Sequence, residues 1–193
     1  MVWLSLALLG TAAMLAYANV PGVAAAAPGD WPPASEVPRA AGRPTLVMFL
    51  HPQCPCSRAS IGELALLLAH APRAVEARVL FLDPEGDDEA WVETDLWRSA
   101  AAIPGVAVAR DVAGREARVF HSGTSGATLL YDGAGRLLFQ GGITLARGHA
   151  GDNPGRSAIE ALLRGEEPPT AATPVFGCGL FAGLRTNPTS WKR

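Results

Sequence analysis

Three cysteines in 193 residues are too few to staple a fold together, so a disulfide-scaffold protein is excluded. No long basic run occurs and the net charge is only −2, which argues against a nucleic-acid partner. There are no internal repeats. The glycines of Gly133-Ala-Gly135 stand between two strand-like runs rather than before a helix, so they are not a phosphate loop. The first 29 residues contain no charged side chain and no histidine, and therefore no basic region to fix orientation in a membrane. The carboxylate pairs Asp87-Asp88 and Glu166-Glu167 fall in loop-like stretches and read as solvated faces.

What is present is a chain that is 49% hydrophobic, enough for one domain with a real core plus appendages. Met1 to Val20 is an apolar run of the length that spans a bilayer, about 20 residues. A retained anchor is the favoured reading; a signal peptide cleaved near Ala24-Ala25-Ala26 is the alternative. Residues 28–44, rich in Pro and Ala, read as a semi-rigid tether. The domain proper then covers 45–165, and 166–193 form a tail that turns apolar around Cys178.

Thr45 to Leu50 is a short apolar run typical of a buried strand. From Ile61 the apolar positions Leu64, Ala65 and Leu68 follow helical spacing. Between them stands His51-Pro-Gln-Cys-Pro-Cys56, with Pro55 suited to a first helical position. Cys54 is then placed at or just before the helix N-cap and Cys56 in the first turn. There the unpaired N–H groups and the helix dipole favour a thiolate. Further strands are expected at 75–82, 106–110, 127–131 and 136–140, and helices at 88–102 and from Asn153-Pro154 onward, with a helical turn at 114–120. Asp132-Gly-Ala-Gly135 marks a hairpin. This order implies a mixed α/β sheet with helices on both faces.

Strand, paired cysteines around a proline, then an amphipathic helix: this layout resembles the thioredoxin-like superfamily. The wording Phe49-Leu-His-Pro-Gln-Cys-Pro-Cys56 is most similar to its membrane-anchored TlpA-like and RedB-like thiol–disulfide oxidoreductases. The likeness covers roughly residues 40–165. It implies exchange with a protein thiol or disulfide partner, without a cofactor, in an inner-membrane-anchored domain facing the periplasm; release into the periplasm follows if the leader is cleaved. The cysteines are separated by one residue instead of two. The favoured register makes Cys54 the nucleophile and Cys56 its resolving partner; in the other, Gln53 takes the nucleophile's place. A disulfide across one residue closes a small strained ring, which makes it more reducible.

His51 is close enough along the chain to tune thiol acidity as an imidazolium, to shuttle protons or to ligate a metal. The family's proline before the fourth strand is replaced by Gly126 or Ala127, which implies an additional free N–H beside the thiols. With Pro55 and Thr128, these two residues are the expected substrate-binding group. Arg147 and His149, in a glycine-rich loop, are placed near the same edge, and His121 on weaker grounds; His70 reads as a helix C-terminal partner. An alternative function is a copper-binding chaperone using Cys54, Cys56 and His149; another is a redox-sensing module. For Cys178, inert packing is the default, with a mixed disulfide or a third thiolate ligand as the other options.

Overall fold

The computed structural model describes residues 2–23, 25–84 and 89–181. The expected cleavage site at Ala24 and the Asp87-Asp88 pair therefore lie partly or wholly outside the described residues. In chain order the elements are α1 (Val2–Ala18), β1 (Thr45–Leu50), α2 (Ser57–His70), β2 (Glu76–Asp83), α3 (Glu89–Val92) and α4 (Asp95–Ala101). Then follow β3 (Val106–Val112), α5 (Arg115–Val119), β4 (Ala127–Tyr131), β5 (Leu137–Gly141) and α6 (Pro154–Leu163).

The five strands form one sheet in the order β3-β2-β1-β4-β5, with β1, β2 and β3 parallel and β4 and β5 antiparallel to their neighbours. This is the thioredoxin-like mixed sheet. Every residue of the central strand β1 is buried, which is why it reads as a continuous apolar run and not an alternating one. Leu46, Met48 and Leu50 point to one core with Leu64 and Leu67 of α2 and Ile159 of α6. Val47 and Phe49 point to the other, with Phe120, Leu129, Tyr131 and Leu180. Among the described residues that second face carries only the short α5; the rest of its cover is irregular chain.

Much of that cover is the stretch expected as a tether. Leu137 N–H donates to Gly29 O (2.8 Å), Trp31 N–H donates to Gly135 O (2.7 Å), and the Tyr131 hydroxyl donates to Pro28 O (2.9 Å). The Trp31 ring meets Phe120 and Tyr131 edge-on, with centroids 5.1 and 5.2 Å away. Residues 28–31 are thus a strap bound by hydrogen bonds and aromatic packing.

The expected membrane span is also modified. Among the described residues no helix is long and apolar enough to cross a membrane. The helix α1 has 17 described residues. None of its residues is buried. The single helix expected from 88 to 102 is two, α3 and α4, because the backbone turns extended at Thr94, which becomes the N-cap of α4. The last helix begins as its sequence suggests: Asn153 is the N-cap, its side chain accepting from Arg156 N–H (2.8 Å), with Pro154 at the first position.

Glu63 of α2, 1% exposed, accepts hydrogen bonds from Arg156 Nη1 of α6 (2.8 Å), Gly151 N–H (2.7 Å) and Asn153 Nδ2 (3.1 Å). This buried pair clamps α2 against α6. Arg156→Ala strands a buried carboxylate and costs about 3–5 kcal/mol, whereas the double replacement Glu63→Leu with Arg156→Met is near neutral. Urea unfolding checks both; a loss below about 1 kcal/mol in the single variant contradicts the clamp.

Candidate active site

Where β1 ends, the chain turns through His51-Pro52-Gln53 and enters α2. Cys54 N–H donates to His51 O (3.1 Å) and Ser57 N–H donates to Cys54 O (3.0 Å), so Cys54 to Ser57 is a tight turn leading into the helix. Cys56 is the N-cap, without a side-chain capping bond. Cys54 thus lies just ahead of the cap, as expected, and Cys56 is one position short of the expected first turn. Pro55 is exposed beside them.

Facing this turn is the loop before β4. The register pairs Phe49 with Ala127, which brings Gly126 and Ala127 to the cysteine edge. The His51 N–H donates to Ser125 Oγ (2.8 Å), and Ser125 Oγ shares a hydrogen bond with Ser57 Oγ (2.9 Å). Nothing in the sequence flags Ser125 or Ser57. The expected free N–H is not there: Gly126 N–H donates to Phe49 O (2.8 Å) and Ala127 N–H to Thr124 O (3.1 Å). Thr128 is fully buried and its hydroxyl donates to Gly126 O (3.1 Å), so it faces the interior and has no surface to offer a substrate.

The tail supplies the third sulfur. Cys178 Sγ lies 2.9 Å from Cys54 Sγ, and all three cysteines are free thiols. Ser125 N–H donates to Cys178 O (2.8 Å), and Leu180 N–H donates to Gly123 O (2.9 Å). Cys178 is therefore packed sulfur to sulfur against Cys54. Cys54 itself is 1% exposed.

Burial alone pushes the Cys54 thiol up. Once Cys54 is ionised, the Cys178 thiol, the backbone N–H groups of Cys178 and Cys56, and the Ser57 hydroxyl donate to its sulfur, and together they bring it below the ordinary thiol value. The neighbours move the other way. Cys178 is pushed up to about 12 by burial, by its bond to Cys54 and by the charge there. Cys56 is raised by burial and by the Cys54 charge, with Arg147 acting against both.

Arg147 is placed at this edge as expected. Its guanidinium donates to Gly177 O and lies 4.9 Å from the Tyr17 ring centroid, while its backbone N–H donates to Ala18 O (3.0 Å). The cysteine edge thus lies at the foot of α1. His51 differs from expectation. Its Nδ1 accepts from Gln53 N–H (3.1 Å), its ring meets Trp91 at 5.4 Å, and burial lowers its pKa. Burial thus favours the uncharged, anchored ring over an imidazolium beside the thiols. His149 and His121 are exposed, and His121 Nδ1 is bonded to Ala26 O. Exposed His70 pairs with Glu160 at 2.9 Å. Among the described residues no group of three His, Cys, Asp or Glu side chains could hold a metal ion, so the Cys54, Cys56 and His149 set is not assembled.

Neither a protein-family model nor a curated protein matches this chain. Solved structures do. A hypothetical protein from Sinorhizobium meliloti superposes with a TM-score of 0.56 at 24% identity, over 72% of this chain and 79% of that one. An uncharacterized conserved protein from Geobacillus kaustophilus gives 0.57 at 20% identity, over 72% and 77%. The fold is thioredoxin-like. A weaker likeness, TM-score 0.47 at 15% identity over 65% and 83%, is to a secreted Mycobacterium tuberculosis disulfide oxidoreductase, and at that level it carries no weight.

Removing a donor from the Cys54 thiolate should raise its pKa. A hydrogen bond to a charged group contributes about 1.5–3 kcal/mol, so Ser57→Ala slows alkylation of Cys54 below its pKa about tenfold. The sign for stability follows: a thiol acidified by folding stabilises the fold above its unfolded pKa, and that contribution is lost as pH falls through the folded value. Rate–pH profiles of alkylation in the two proteins check this; superimposable profiles contradict it.

Proposed function

We propose that this protein is a thiol–disulfide oxidoreductase acting on protein thiols or disulfides outside the cytoplasm. The observation that carries the reading is the placement of Cys54 just ahead of the N-terminus of α2, with the Cys178 sulfur 2.9 Å from its own and donors around it. A thiolate is the attacking species in disulfide exchange, and an anion in this position needs such donors to survive burial. Cys54 is the attacking sulfur, Cys56 its neighbour along the chain and Cys178 its neighbour through space. Pro55, exposed next to Cys54, and the Gly126-Ala127 edge frame the approach of a partner. The thioredoxin-like fold and the sequence's likeness to the TlpA-like and RedB-like branch support this class of chemistry.

The apolar, exposed α1 is read as the membrane attachment, with the site at its foot. A domain so held meets partners at the membrane surface of an oxidising compartment.

The test is reduction of insulin by glutathione in the presence of the full chain. The protein accelerates the reaction, and Cys54→Ser returns it to the uncatalysed rate. An acceleration that survives Cys54→Ser contradicts the assignment.

A further inference from the structure

We propose that Cys178 is the thiol that pairs with Cys54, so that the oxidised protein carries a Cys54–Cys178 disulfide and the tail serves as an internal substrate strand. The proposal rests on the thiol–disulfide reading and adds to it which sulfur closes the cycle. Its basis is the way Gly177 to Leu180 is bound. Thr124 and Gly179 form an antiparallel bridge, flanked by the hydrogen bonds from Ser125 N–H to Cys178 O and from Leu180 N–H to Gly123 O. Main-chain pairing with a side chain delivered into a pocket is how extended peptides are recognised. Here the delivered side chain is a thiol, and it ends 2.9 Å from the reactive sulfur.

Two features make this seat specific. A Cβ at Gly177 would stand 1.9 Å from Ser125 O, so only glycine lets the tail come this close. Leu180, 1% exposed, is sunk in the second core beside Phe49 and Phe120, anchoring the strand just past the cysteine. Cys56, by contrast, can reach Cys54 only by closing a disulfide across one residue, a strained ring.

The tail covers Cys54, so a partner reaches it when 177–180 lifts. The Cys54 thiolate attacks one sulfur of the partner's disulfide. The partner's S–S bond breaks, a mixed disulfide forms and one partner sulfur leaves as a thiolate. Cys54 then has no charge, and the bond that kept the Cys178 proton in place is gone. As the tail returns, Cys178 gives that proton to the departed thiolate and attacks Cys54 Sγ. The Cys54–Cys178 bond forms, the mixed disulfide breaks, and the partner's second sulfur leaves and takes a proton from water. Two electrons have passed from Cys54 and Cys178 to the partner's disulfide.

The experiment equilibrates the full chain against a graded series of reduced and oxidised glutathione, followed by acid quenching, proteolysis and mass mapping of cross-linked peptides. The expected product joins Cys54 to Cys178, and it still forms in Cys56→Ser. In Cys178→Ser, Cys54 accumulates instead as its glutathione mixed disulfide. Gly177→Val keeps all three thiols but forces the strand off its seat, and the Cys54–Cys178 cross-link is lost. A Cys54–Cys56 disulfide with Cys178 still reduced overturns the proposal while leaving the exchange reading standing, and so does an undiminished cross-link in Gly177→Val. If Cys54 stays reduced throughout the series, both readings fall.

Discussion

The antiparallel pairing of Gly177–Leu180 with the loop before β4 is the constraint on which the chemistry of this molecule depends. It buries Cys54 to 1% exposure, and burial by itself disfavours a thiolate. The same segment returns donors to that sulfur, the Cys178 thiol and its backbone N–H, so that acidity survives burial. One strand therefore supplies both cover and two of the donors, the Cys56 N–H and the Ser57 hydroxyl supplying the others. Without it the sulfur would lose both its cover and two of its donors.

The rest of the chain is arranged to keep that strand in place. Thr173 N–H donates to Gln140 O (3.1 Å) and Gln140 N–H to Ala171 O (3.1 Å), so the tail first runs beside β5 and occupies a sheet edge that would otherwise be open. Gly22 N–H then donates to Val175 O (2.8 Å), and Arg147 holds Gly177 O. The N-terminal strap and the C-terminal tail meet over the second face of the sheet, where helices would otherwise be needed. The position of α1 relative to the cysteines follows from these contacts.

The central elements were legible because each has a local signal. The run Thr45–Leu50, the hairpin at Asp132-Gly-Ala-Gly135 and the Asn153-Pro154 cap carry their structure in a few neighbouring residues. The same local pattern places Cys54 and Cys56 at the start of α2. The sequence singles out Cys178 but not where it docks, because its seat is built from backbone hydrogen bonds, which leave little trace in side-chain chemistry. The glycine content after β5 did hold a clue: a Cβ at Gly142 would lie 2.7 Å from Pro174 O, so that glycine marks where the tail crosses. Which segment would cross there depends on contacts more than 30 residues apart in sequence, beyond the reach of any local pattern. The surroundings of His51 escape a local pattern for a related reason: burial lowers its pKa, and the ring it packs against, Trp91, is remote in sequence.

Amide hydrogen exchange of the reduced full chain tests the central claim most directly, at Ser125 and Leu180. Both amides donate across the tail pairing. The account predicts that they are protected well above ordinary loop amides, and that they open together. Exchange of both at the rates of unstructured chain, with β1 and β4 still protected, would contradict it.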